Sequence, residues 1–524
     1  MIYKVLIPTA GIGSRLLKET QNINKSLVLI DHKPIISHII EKFPLNVEIV
    51  IALGYKGDLV KQYLKISHPK NKFKFINVSK YSGKGSGLGL SIYECKKELQ
   101  CPFIFFSCDT YIRERKVPLP SKNWIGYSHS YNPKLYRTIS FKKNKLDKIY
   151  DKQKKGGKFD YIGLSGIYDY KSFWEAIDKS KKVLFNGEIE GLNKIKAKNI
   201  YGHKFKWSDC GSLKSLNKLR SKQSESRSNV IILPKEDEFI AFVNNKVIKF
   251  HKDKNFIKKR VLRQAILKRF TPDIISYSKN FYSYKKIDAK LFSLNNNKKN
   301  FIKLLEYLQL FWKKKKLNKN DLNNFYYECN KFYKYKTLNR LDLFFKRSKI
   351  KDKSNFINQT YIPNISELFK MIDWTDICKG IPANYHGDLH FENILLNKNE
   401  FHLLDWRQDF NDNLKFGDIY YDFAKLLHGM IVSHKIVHEK KFNIVLKEKR
   451  VGIKIPLNKN NVNLIKIFRE WILKKGYDFK RTRIICGLIY LNIAALHHYP
   501  YSIFLFYLGK LVIYNALNDK KKIL

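Results

Sequence analysis

The sequence predicts an α/β protein with two domains, bounded at residues 1–222 and 228–524. Over the first domain, short apolar runs alternate with helical patterns, which is typical of a largely parallel sheet with helices on both faces. The polar, serine-rich segment Leu219–Ser228 predicts a linker. Beyond it, a few strand-like runs precede a long helical region that begins near residue 255, which predicts a bilobal α+β domain.

The elements of the first domain follow from the spacing of apolar residues. Ligands of such sheets bind at the carboxyl ends of the strands, so we expect site residues directly after them. The predicted strands are Lys4–Ile7, Val47–Leu53, Phe73–Val78 and Phe103–Ser107, and the predicted helices between them are Pro34–Phe43 and Gly57–Ile66.

The second domain begins with a small antiparallel sheet. Asn244 and Asn245 tolerate the positive φ of a hairpin turn, so we expect the two strands that flank them to pair. A second short strand pair is predicted near Ile394–Leu404. The strands of the small sheet are Val230–Leu233, Phe239–Val243 and Lys246–Phe250.

The chain is strongly basic, with 101 Lys and Arg against 46 Asp and Glu, a formal charge of +55. Such a charge is typical of nucleic-acid-binding proteins, and that class stays open as an alternative. The lysines are nevertheless scattered along the whole chain, and the longest run, Lys313–Lys316, is short. This distribution favours a solvated surface and polyanionic substrates such as nucleoside triphosphates over a specific nucleic-acid partner.

The seven cysteines follow no regular spacing, which indicates neither a disulfide framework nor a zinc ribbon and fits a reducing cytoplasm. No signal-peptide pattern follows Met1. The segment Ile484–Gly509 lacks charged residues but is interrupted by histidines and Pro500, so we predict two buried helices and no transmembrane segment.

A glycine-containing loop follows the first strand directly. Gly11 and Gly13 allow a tight bend that brings backbone amides close to phosphates, and Arg15 can neutralise a triphosphate. Lys25 follows at short range in the sequence Asn-Lys-Ser-Leu. The nucleotide-binding residues predicted here are Ala10, Gly11, Gly13, Ser14 and Arg15.

These motifs resemble the sugar-phosphate nucleotidyltransferase family, whose signature is G-x-G-x-R followed by a Lys-x-Leu segment. The stretch Thr20–Leu27 is especially similar to bacterial phosphocholine cytidylyltransferases, with Asn24 where that family often has proline. The resemblance covers about 215 residues. It implies a Rossmann-like fold and transfer of a nucleotidyl group to a phosphate, with Lys25 and Arg15 as catalytic residues.

The same resemblance implies further site residues. Asp109 and Asp209 would hold Mg²⁺, and the alternatives are a helix cap for Asp109 and a turn position for Asp209. Lys152 would receive the acceptor phosphate, although its role is the most open. Gly163 would line the acceptor pocket. The loop that meets the nucleotide base would contain Gly85, Ser86 and Gly87.

The most specific motif lies in the second domain. The segment Tyr385–Leu396 contains His-Gly-Asp-Leu-His-Phe-Glu-Asn, and Asp405 follows a short apolar run. This resembles the choline kinase and aminoglycoside phosphotransferase family of the protein-kinase-like fold. The resemblance implies Asp388 as the base that accepts the proton of an acceptor hydroxyl, and Asn393 and Asp405 as ligands of the Mg²⁺ bound to ATP.

Other parts of the kinase-like pattern are less complete. Lys249 resembles the lysine that binds the ATP phosphates, but the following segment Phe256–Phe270 offers no acidic partner. The segment Pro234–Glu238 is the candidate for the loop over the nucleotide, and Tyr282–Leu291 resembles the hinge between lobes. Asp422 and His386 are interpreted as residues that hold the catalytic loop.

The two resemblances together predict a bifunctional enzyme. ATP would phosphorylate a small alcohol, choline-like or a sugar, and a second triphosphate, CTP by the resemblance, would then activate the phosphate ester for surface glycan or lipid decoration. Both domains would use Mg²⁺. A choline-like acceptor would need aromatic residues around its cation, for which the candidates are Trp406, Tyr420, Tyr421, Tyr499 and Tyr501, with Trp406 and Tyr421 preferred. The alternatives are nucleotide-sugar synthesis and a basic nucleic-acid-binding protein.

Overall fold

The computed structural model describes residues 2–154, 156–179, 187–224 and 237–519. The chain forms two compact units. The first comprises Met1–Asn229, Lys235–Lys254 and Ile275–Lys286, and the second comprises Val230–Pro234, Asn255–Ile274 and Ile287–Leu524. The predicted bounds 1–222 and 228–524 stay predictions. The predicted linker from residue 225 onward, the predicted strand Val230–Leu233 and residues 234–236 of the loop Pro234–Glu238 lie outside the described residues.

The first unit is built on a mixed sheet with nine strands among the described residues. Its helices include Ile35–Ile40, Gly57–Ser67, Leu88–Tyr93, Tyr170–Lys179, Ile189–Ile195 and Leu213–Ser224. In spatial order, the strands are Lys72–Asn77, Glu48–Leu53, Lys4–Pro8, Phe103–Phe106, Phe159–Ile167, Trp124–Ser128, Tyr201–Lys204, Lys145–Tyr150 and Thr138–Lys142.

The four strands expected from the apolar runs are confirmed, and they are parallel neighbours. The pairs Lys4↔Glu48 and Lys4↔Phe103 fix their register. Both predicted helices between them are also present, at Ile35–Ile40 and Gly57–Ser67. The loops after Pro8 and Phe106 therefore leave the sheet on the same edge, where the sequence placed its site residues.

The predicted hairpin of Asn244 and Asn245 is confirmed, with φ values of 50° and 58°. It joins Glu238–Val243 to Lys246–His251, and Phe281–Lys285 extends the sheet. Phe281 packs 5.9 Å from the ring of Tyr63, so this small sheet is part of the core of the first unit.

The second unit is mixed α/β and mainly helical. Its strand pair Ile394–Asn397 and Glu400–Leu403 confirms the prediction near residues 394–404. Its longer helices are Lys254–Leu267, Lys298–Phe311, Lys319–Asn330, Lys336–Ser348, Ile419–Ile431, Lys459–Lys474, Phe479–Ala494 and Tyr501–Leu517. Its short helices are Ile365–Lys370, Trp374–Cys378 and His434–His438, and its other strands are Lys290–Leu291, Asn355–Ile357, Thr360–Ile362, Pro382–Ala383, Gly417–Asp418, Asn443–Lys447 and Arg450–Lys454.

The uncharged segment Ile484–Gly509 belongs to two buried helices, Phe479–Ala494 and Tyr501–Leu517, as predicted. They pack closely at Gly487 and Gly509, because a Cβ on Gly509 would lie 2.9 Å from the Gly487 carbonyl oxygen. Within the described ranges, every helix is too short or too polar to traverse a bilayer. All seven cysteines lie in the described part of the chain and are free thiols.

Gly166 provides a stability test of the large sheet. It pairs with Trp124, and a Cβ at Gly166 would lie 2.1 Å from the indole Nε1 of that fully buried residue. We expect Gly166→Ala to destabilise the protein by about 1–3 kcal/mol, because overpacking a rigid core forces side chains from their rotamers. Urea unfolding measures the change. The matched control is Gly452→Ala, also in a strand, where the new Cβ would meet only Val445 at 3.8 Å. Equal unfolding midpoints for the two variants would contradict this packing.

Candidate functional site

The loop after the first strand folds over Lys25. Gly13 has a φ of 73°, and a Cβ there would lie 2.9 Å from Cβ of Lys25, so this position requires glycine on both counts. A Cβ on Gly11 would lie 4.0 Å from Nζ of Lys25. Ala10 is buried, its carbonyl accepts the N–H of Tyr55 at 2.9 Å, and Ser14 begins a 3₁₀ helix. The predicted phosphate loop and Lys25 are therefore adjacent.

Asn24 anchors this loop and was not assigned a role from sequence. Its side chain is fully buried, and its Nδ2 donates to the carbonyls of Thr9, at 2.9 Å, and Tyr55, at 2.6 Å. Its Oδ1 accepts from both N and Oγ of Ser26, at 2.9 and 2.8 Å. The side-chain amide thus holds three chain segments together. Proline at this position could not do so, because its side chain has no hydrogen-bonding group.

Asp109 lies at the end of the strand Phe103–Phe106 and beside Lys25. Its Oδ2 is 3.6 Å from Nζ of Lys25 and 4.0 Å from Nη2 of Arg15, and its Oδ1 accepts from Oγ of Ser107 at 2.6 Å. Burial opposes ionisation, but Lys25 and the Ser107 hydrogen bond lower the pKa of Asp109. The carboxylate is therefore charged at neutral pH.

Asp209 reaches the same place from a distant part of the chain. The strand Trp207–Asp209 pairs with Thr110–Ile112, and Cys210 N–H donates to the Asp109 carbonyl at 2.8 Å. A Cβ on Gly211 would lie 3.1 Å from Oδ2 of Asp109, 3.2 Å from Oδ1 of Asp209 and 2.9 Å from Nη2 of Arg15.

The two carboxylates and Arg15 therefore converge on one point. This fits a Mg²⁺ site, because a single ion near that point would reach oxygen ligands from both aspartates and leave positions for phosphate oxygens. The strand Thr110–Ile112 follows Asp109, so Asp109 does not cap a helix. The Gly211 N–H donates to Oδ1 of Asp209 at 3.2 Å, so Asp209 also has the turn hydrogen bond of its alternative role, and the metal-binding roles stay predictions.

Two predicted acceptor residues border this cluster. The pKa of Lys152 is lowered by burial and by the charges of Arg15 and Arg137, and Asp109 and Asp209 only partly offset this. Lys152 is therefore close enough to the cluster to interact electrostatically with its charged side chains. Gly163 has a φ of 70°, and a Cβ at this position would lie only 2.9 Å from Cβ of Ser107, so a larger side chain would not fit here. Its carbonyl instead accepts the N–H of Ser107 at 2.9 Å.

The loop predicted to meet the nucleotide base is exposed. Ser86 Oγ donates to the Gly83 carbonyl at 2.7 Å, and a Cβ on Gly85 would have no atom within 4 Å. Gly87 precedes the helix Leu88–Tyr93. Base binding by Gly85, Ser86 and Gly87 stays a prediction.

In the second unit, Asp388 is held by groups that the sequence did not indicate. Its Oδ1 lies 2.8 Å from Nζ of Lys425, and a third of its side chain remains exposed. Burial alone would lower the pKa of Lys425, but the negative charge of Asp388 has the larger effect, so the pKa is raised. Asn393 Nδ2 donates to the Asp388 carbonyl at 2.8 Å. The predicted base and one predicted metal ligand are thus neighbours.

A buried carboxylate fixes the backbone before Asp388. Asp422 accepts the N–H groups of His386 and Gly387, both at 2.7 Å, and the indole N–H of Trp312 at 3.0 Å. Burial raises the pKa of Asp422 to about 6. Burial also lowers the pKa of His386 to about 3, so its neutral Nδ1 can accept the Asp388 N–H at 3.2 Å. Both residues hold the loop, as the sequence indicated.

Arginines occupy the helix in which the sequence pattern lacked an acid. Arg260 Nη1 lies 3.5 Å from Oδ1 of Asp405, whose φ is 59°. Arg263 is fully buried, and its guanidinium donates to the carbonyls of Tyr385, at 2.6 Å, Leu414, at 3.1 Å, and Arg407. These contacts join residues more than 120 positions apart in the chain, so no local sequence pattern indicated the roles of Arg260 and Arg263.

Asp405 lies near Asn393 through the backbone, because Leu404 N–H donates to the Asn393 carbonyl at 2.7 Å. Side-chain oxygens such as those of Asn393 and Asp405 are the ligand type that Mg²⁺ with bound ATP phosphates prefers. Their roles as metal ligands stay predictions.

The two preferred aromatic acceptor residues, Trp406 and Tyr421, are buried, whereas Tyr499 is exposed. Trp406 has no exposed surface, and its Nε1 donates to the Arg260 carbonyl at 2.9 Å. Tyr421 is 7 % exposed and packs edge-on against Phe332 at 4.9 Å. Their burial gives no support to a cation cage at these positions. Lys249 is buried in the strand Lys246–His251 of the first unit, where it pairs with Tyr282, and its contact with ATP stays a prediction.

Comparisons with known proteins concern the N-terminal part of the chain. It is 28% identical over 247 residues to the bifunctional protein GlmU of Methanococcus maripaludis, and 28% identical over 216 residues to that of Methanocaldococcus jannaschii. These matches cover 43% and 39% of this chain and 57% and 50% of the relatives. The chain thus spans about half the length of the curated relatives it matches.

Two solved structures are also similar. The CTP:phosphocholine cytidylyltransferase LicC of Streptococcus pneumoniae has 21% identity and a TM-score of 0.37, covering 42% of this chain and 99% of LicC. HddC of Yersinia pseudotuberculosis has 22% identity and a TM-score of 0.33, covering 42% and 99%. No family model matches the chain. The N-terminal region resembles sugar-phosphate nucleotidyltransferases.

Asn24 allows a test of the first site. We expect Asn24→Ala to destabilise the protein by about 1–3 kcal/mol, because two buried carbonyls and Ser26 lose their partner. The loop over Lys25 would also loosen, so affinity for a nucleoside triphosphate with Mg²⁺ should fall. Urea unfolding and equilibrium nucleotide binding measure the two effects. Unchanged stability would show that water replaces the amide and that Asn24 is not the anchor described here.

Proposed function

We propose that the first unit transfers a nucleotidyl group from a nucleoside triphosphate, CTP in our proposal, to the phosphate of a small phosphomonoester. The observation that supports this most directly is the convergence of Asp109, Asp209 and Arg15 on one point beside Lys25. Similarity of the N-terminal region to GlmU proteins supports the same reaction class.

In this reaction, an oxygen of the acceptor phosphate attacks the α-phosphorus, a new P–O bond forms, and pyrophosphate leaves. Lys25 and Arg15 neutralise the phosphates as charge moves to the leaving group, and Lys152 orients the acceptor phosphate. Asp109 and Asp209 would hold Mg²⁺, which supplies positive charge to the triphosphate when bound. No side chain becomes covalently modified.

The second unit, in this proposal, phosphorylates the hydroxyl of a small alcohol with ATP. Asp388 is partly exposed on a loop that Asp422 and Arg263 hold from inside, so it can accept the hydroxyl proton in a fixed position. Lys425 pairs with Asp388 before the substrates bind. Asn393 and Asp405 would hold the Mg²⁺ that neutralises the ATP phosphates.

The two reactions have a natural order. The second unit makes a phosphate ester, and the first unit consumes such an ester to give a nucleotide-activated product. Such products donate their activated group to glycans or lipids, so we propose a role in surface decoration.

A basic cavity in the second unit bears on the identity of the alcohol. It has a volume of about 480 Å³, and Lys331, Lys336, Arg340 and Asn411 contribute to its lining. Lys331 pairs with Glu328 at 3.3 Å, whereas no carboxylate of the described residues pairs with Lys336 or Arg340. Burial, Arg407 and Arg340 lower the pKa of Lys336 well below its usual range.

This cavity adjoins the loop that carries Asp388. The Lys336 ammonium and the Arg407 guanidinium lie 4.0 and 5.0 Å from the ring centre of Phe332, and Arg407 N–H donates to the His386 carbonyl at 2.8 Å. The positive charges of this cavity would repel a quaternary ammonium, whereas an anion would be attracted and would reduce the repulsion between the basic side chains. We therefore propose a sugar or polyol that carries a negative charge as the acceptor, with choline as the alternative.

Separate variants test the two reactions. We expect Asp109→Asn to reduce pyrophosphate release with CTP by about 100-fold or more, because a ligand at the charge cluster is lost. Asp388→Asn should reduce ADP formation by about 10²–10⁴-fold, because the base is lost. Each variant should retain the other activity. The controls are Asp147→Asn and Asp342→Asn, which lie outside both clusters. Loss of both activities in either variant would contradict independent sites.

The cavity makes a further prediction for the phosphorylation step. We expect Lys336→Gln and Arg340→Gln each to raise KM for an anionic sugar or polyol by roughly tenfold, which corresponds to about 1.4 kcal/mol of lost binding. KM for ATP should stay unchanged. The control is Lys346→Gln, an exposed lysine on the same helix. Faster phosphorylation of choline than of any anionic alcohol by the wild-type protein would overturn the proposed acceptor class.

A further inference from the structure

Two histidines and a glutamate come together beside the proposed kinase loop. His390 and Glu392 belong to the loop itself, and His434 begins the helix His434–His438. One ligand atom from each side chain lies within 4.8 Å of the others. The closest pair is Nδ1 of His390 and Oε2 of Glu392, at 3.1 Å. The ring centres of His390 and His434 are 5.0 Å apart.

Zinc binds histidine nitrogen and carboxylate oxygen at about 2.0–2.2 Å, so tetrahedral geometry places neighbouring donors roughly 3.3–3.5 Å apart. The hydrogen-bonded pair of His390 and Glu392 has nearly this spacing, and the three ligand atoms lie within 4.8 Å of one another. A bound metal would replace the His390–Glu392 hydrogen bond and draw the three ligand atoms closer together. Two imidazoles and one carboxylate are a donor set that suits zinc and related transition metals, whereas Mg²⁺ prefers oxygen.

The surroundings orient the proposed ligands. The second oxygen of Glu392, Oε1, accepts the backbone N–H of His434 at 2.9 Å, which fixes the carboxylate relative to that residue. On the far side of the His390 ring, Nε2 lies 3.8 Å from Oδ2 of Asp388. A carboxylate behind a ligating imidazole fixes the ring and raises its basicity. Asn393 Nδ2, 3.1 Å from the same Nε2, lies beside it.

A third imidazole nearby is an independent sign of an unusual site. Within the described part of the chain, neither ring nitrogen of the buried His428 has a hydrogen-bond partner. Burying polar ring atoms without hydrogen-bond partners is costly in a protein, so the surroundings of His428 are not those of an ordinary packed core.

We infer that His390, Glu392 and His434 form a binding site for a divalent transition metal of the zinc class, with three protein ligands and a fourth position open to water. This site differs from the Mg²⁺ positions proposed at Asn393 and Asp405. It links the loop of Asp388 to a segment more than 40 residues later in the chain, and the metal therefore positions that loop.

Metal binding to the full-length protein tests the inference directly. Chelator-treated protein is titrated with Zn²⁺ in the presence of excess Mg²⁺, and bound zinc is measured by equilibrium dialysis. We expect one tightly bound zinc per chain and a higher unfolding temperature when it is bound. Co²⁺ in place of zinc should give intense visible bands of a four-coordinate N/O site. The absence of tight zinc binding would overturn the proposal.

Variants assign the site. Glu392→Gln keeps the size of the side chain, and His434→Ala removes a ligand; each should weaken zinc binding by about tenfold or more and abolish the thermal shift. The control is His438→Ala, which removes an exposed histidine of the same short helix and should bind zinc normally. Circular dichroism confirms folding of each variant. Unaltered zinc affinity in both ligand variants, or a cobalt–thiolate band that indicates cysteine ligands, would also overturn the proposal.

Discussion

The site in the first unit depends on the parallel pairing of two strands, Lys4–Pro8 and Phe103–Phe106. Their register, with Leu6 opposite Phe105, makes both chains leave the sheet at the same edge. One departing loop carries Arg15 and leads to Lys25, and the other carries Asp109. The 3.6 Å contact between Lys25 and Asp109 follows from this register and from the glycine at position 13, without which the loop could not close over the lysine.

A buried carboxylate plays the corresponding role in the second unit. Asp422 accepts three N–H groups inside the protein, two of them from the backbone just before Asp388. Each bond to an ionised acceptor is worth more than a neutral one, and leaving those N–H groups without a partner would be costly. The buried guanidinium of Arg263 donates to the Tyr385 carbonyl of the same loop. Backbone N–H groups and a backbone carbonyl of the loop are thus both held by buried side chains, and the side chain of Asp388 is left partly exposed.

The sequence was sufficient for elements that local patterns determine. The four parallel strands and the strands of the Asn244–Asn245 hairpin were predicted within one or two residues, because apolar period and turn chemistry are local. The presence of two buried C-terminal helices was also predicted, although their outer ends lie five and eight residues beyond the segment Ile484–Gly509. The convergence of Asp109 and Asp209 was not predictable by pattern alone, since 100 residues separate them and only the pairing of Trp207–Asp209 with Thr110–Ile112 joins them. Resemblance to a family supplied that pair. It could not supply Asn24, Arg260 or Lys425, which depart from or lie outside the quoted motifs, and it could not show that the ring of Trp406 is buried.

Pairing of a lysine with an aspartate is the feature that both candidate sites share. Lys25 lies 3.6 Å from Asp109 and Lys425 lies 2.8 Å from Asp388, in each case where burial alone would disfavour charge. In each pair the carboxylate raises the pKa of its lysine and so offsets the effect of burial. The Lys25–Asp109 pair is mostly buried, whereas a third of the Asp388 side chain stays exposed. The electrostatic cost of bringing opposite charges together in the first unit is therefore met largely during folding, when Lys25 and Asp109 are removed from water.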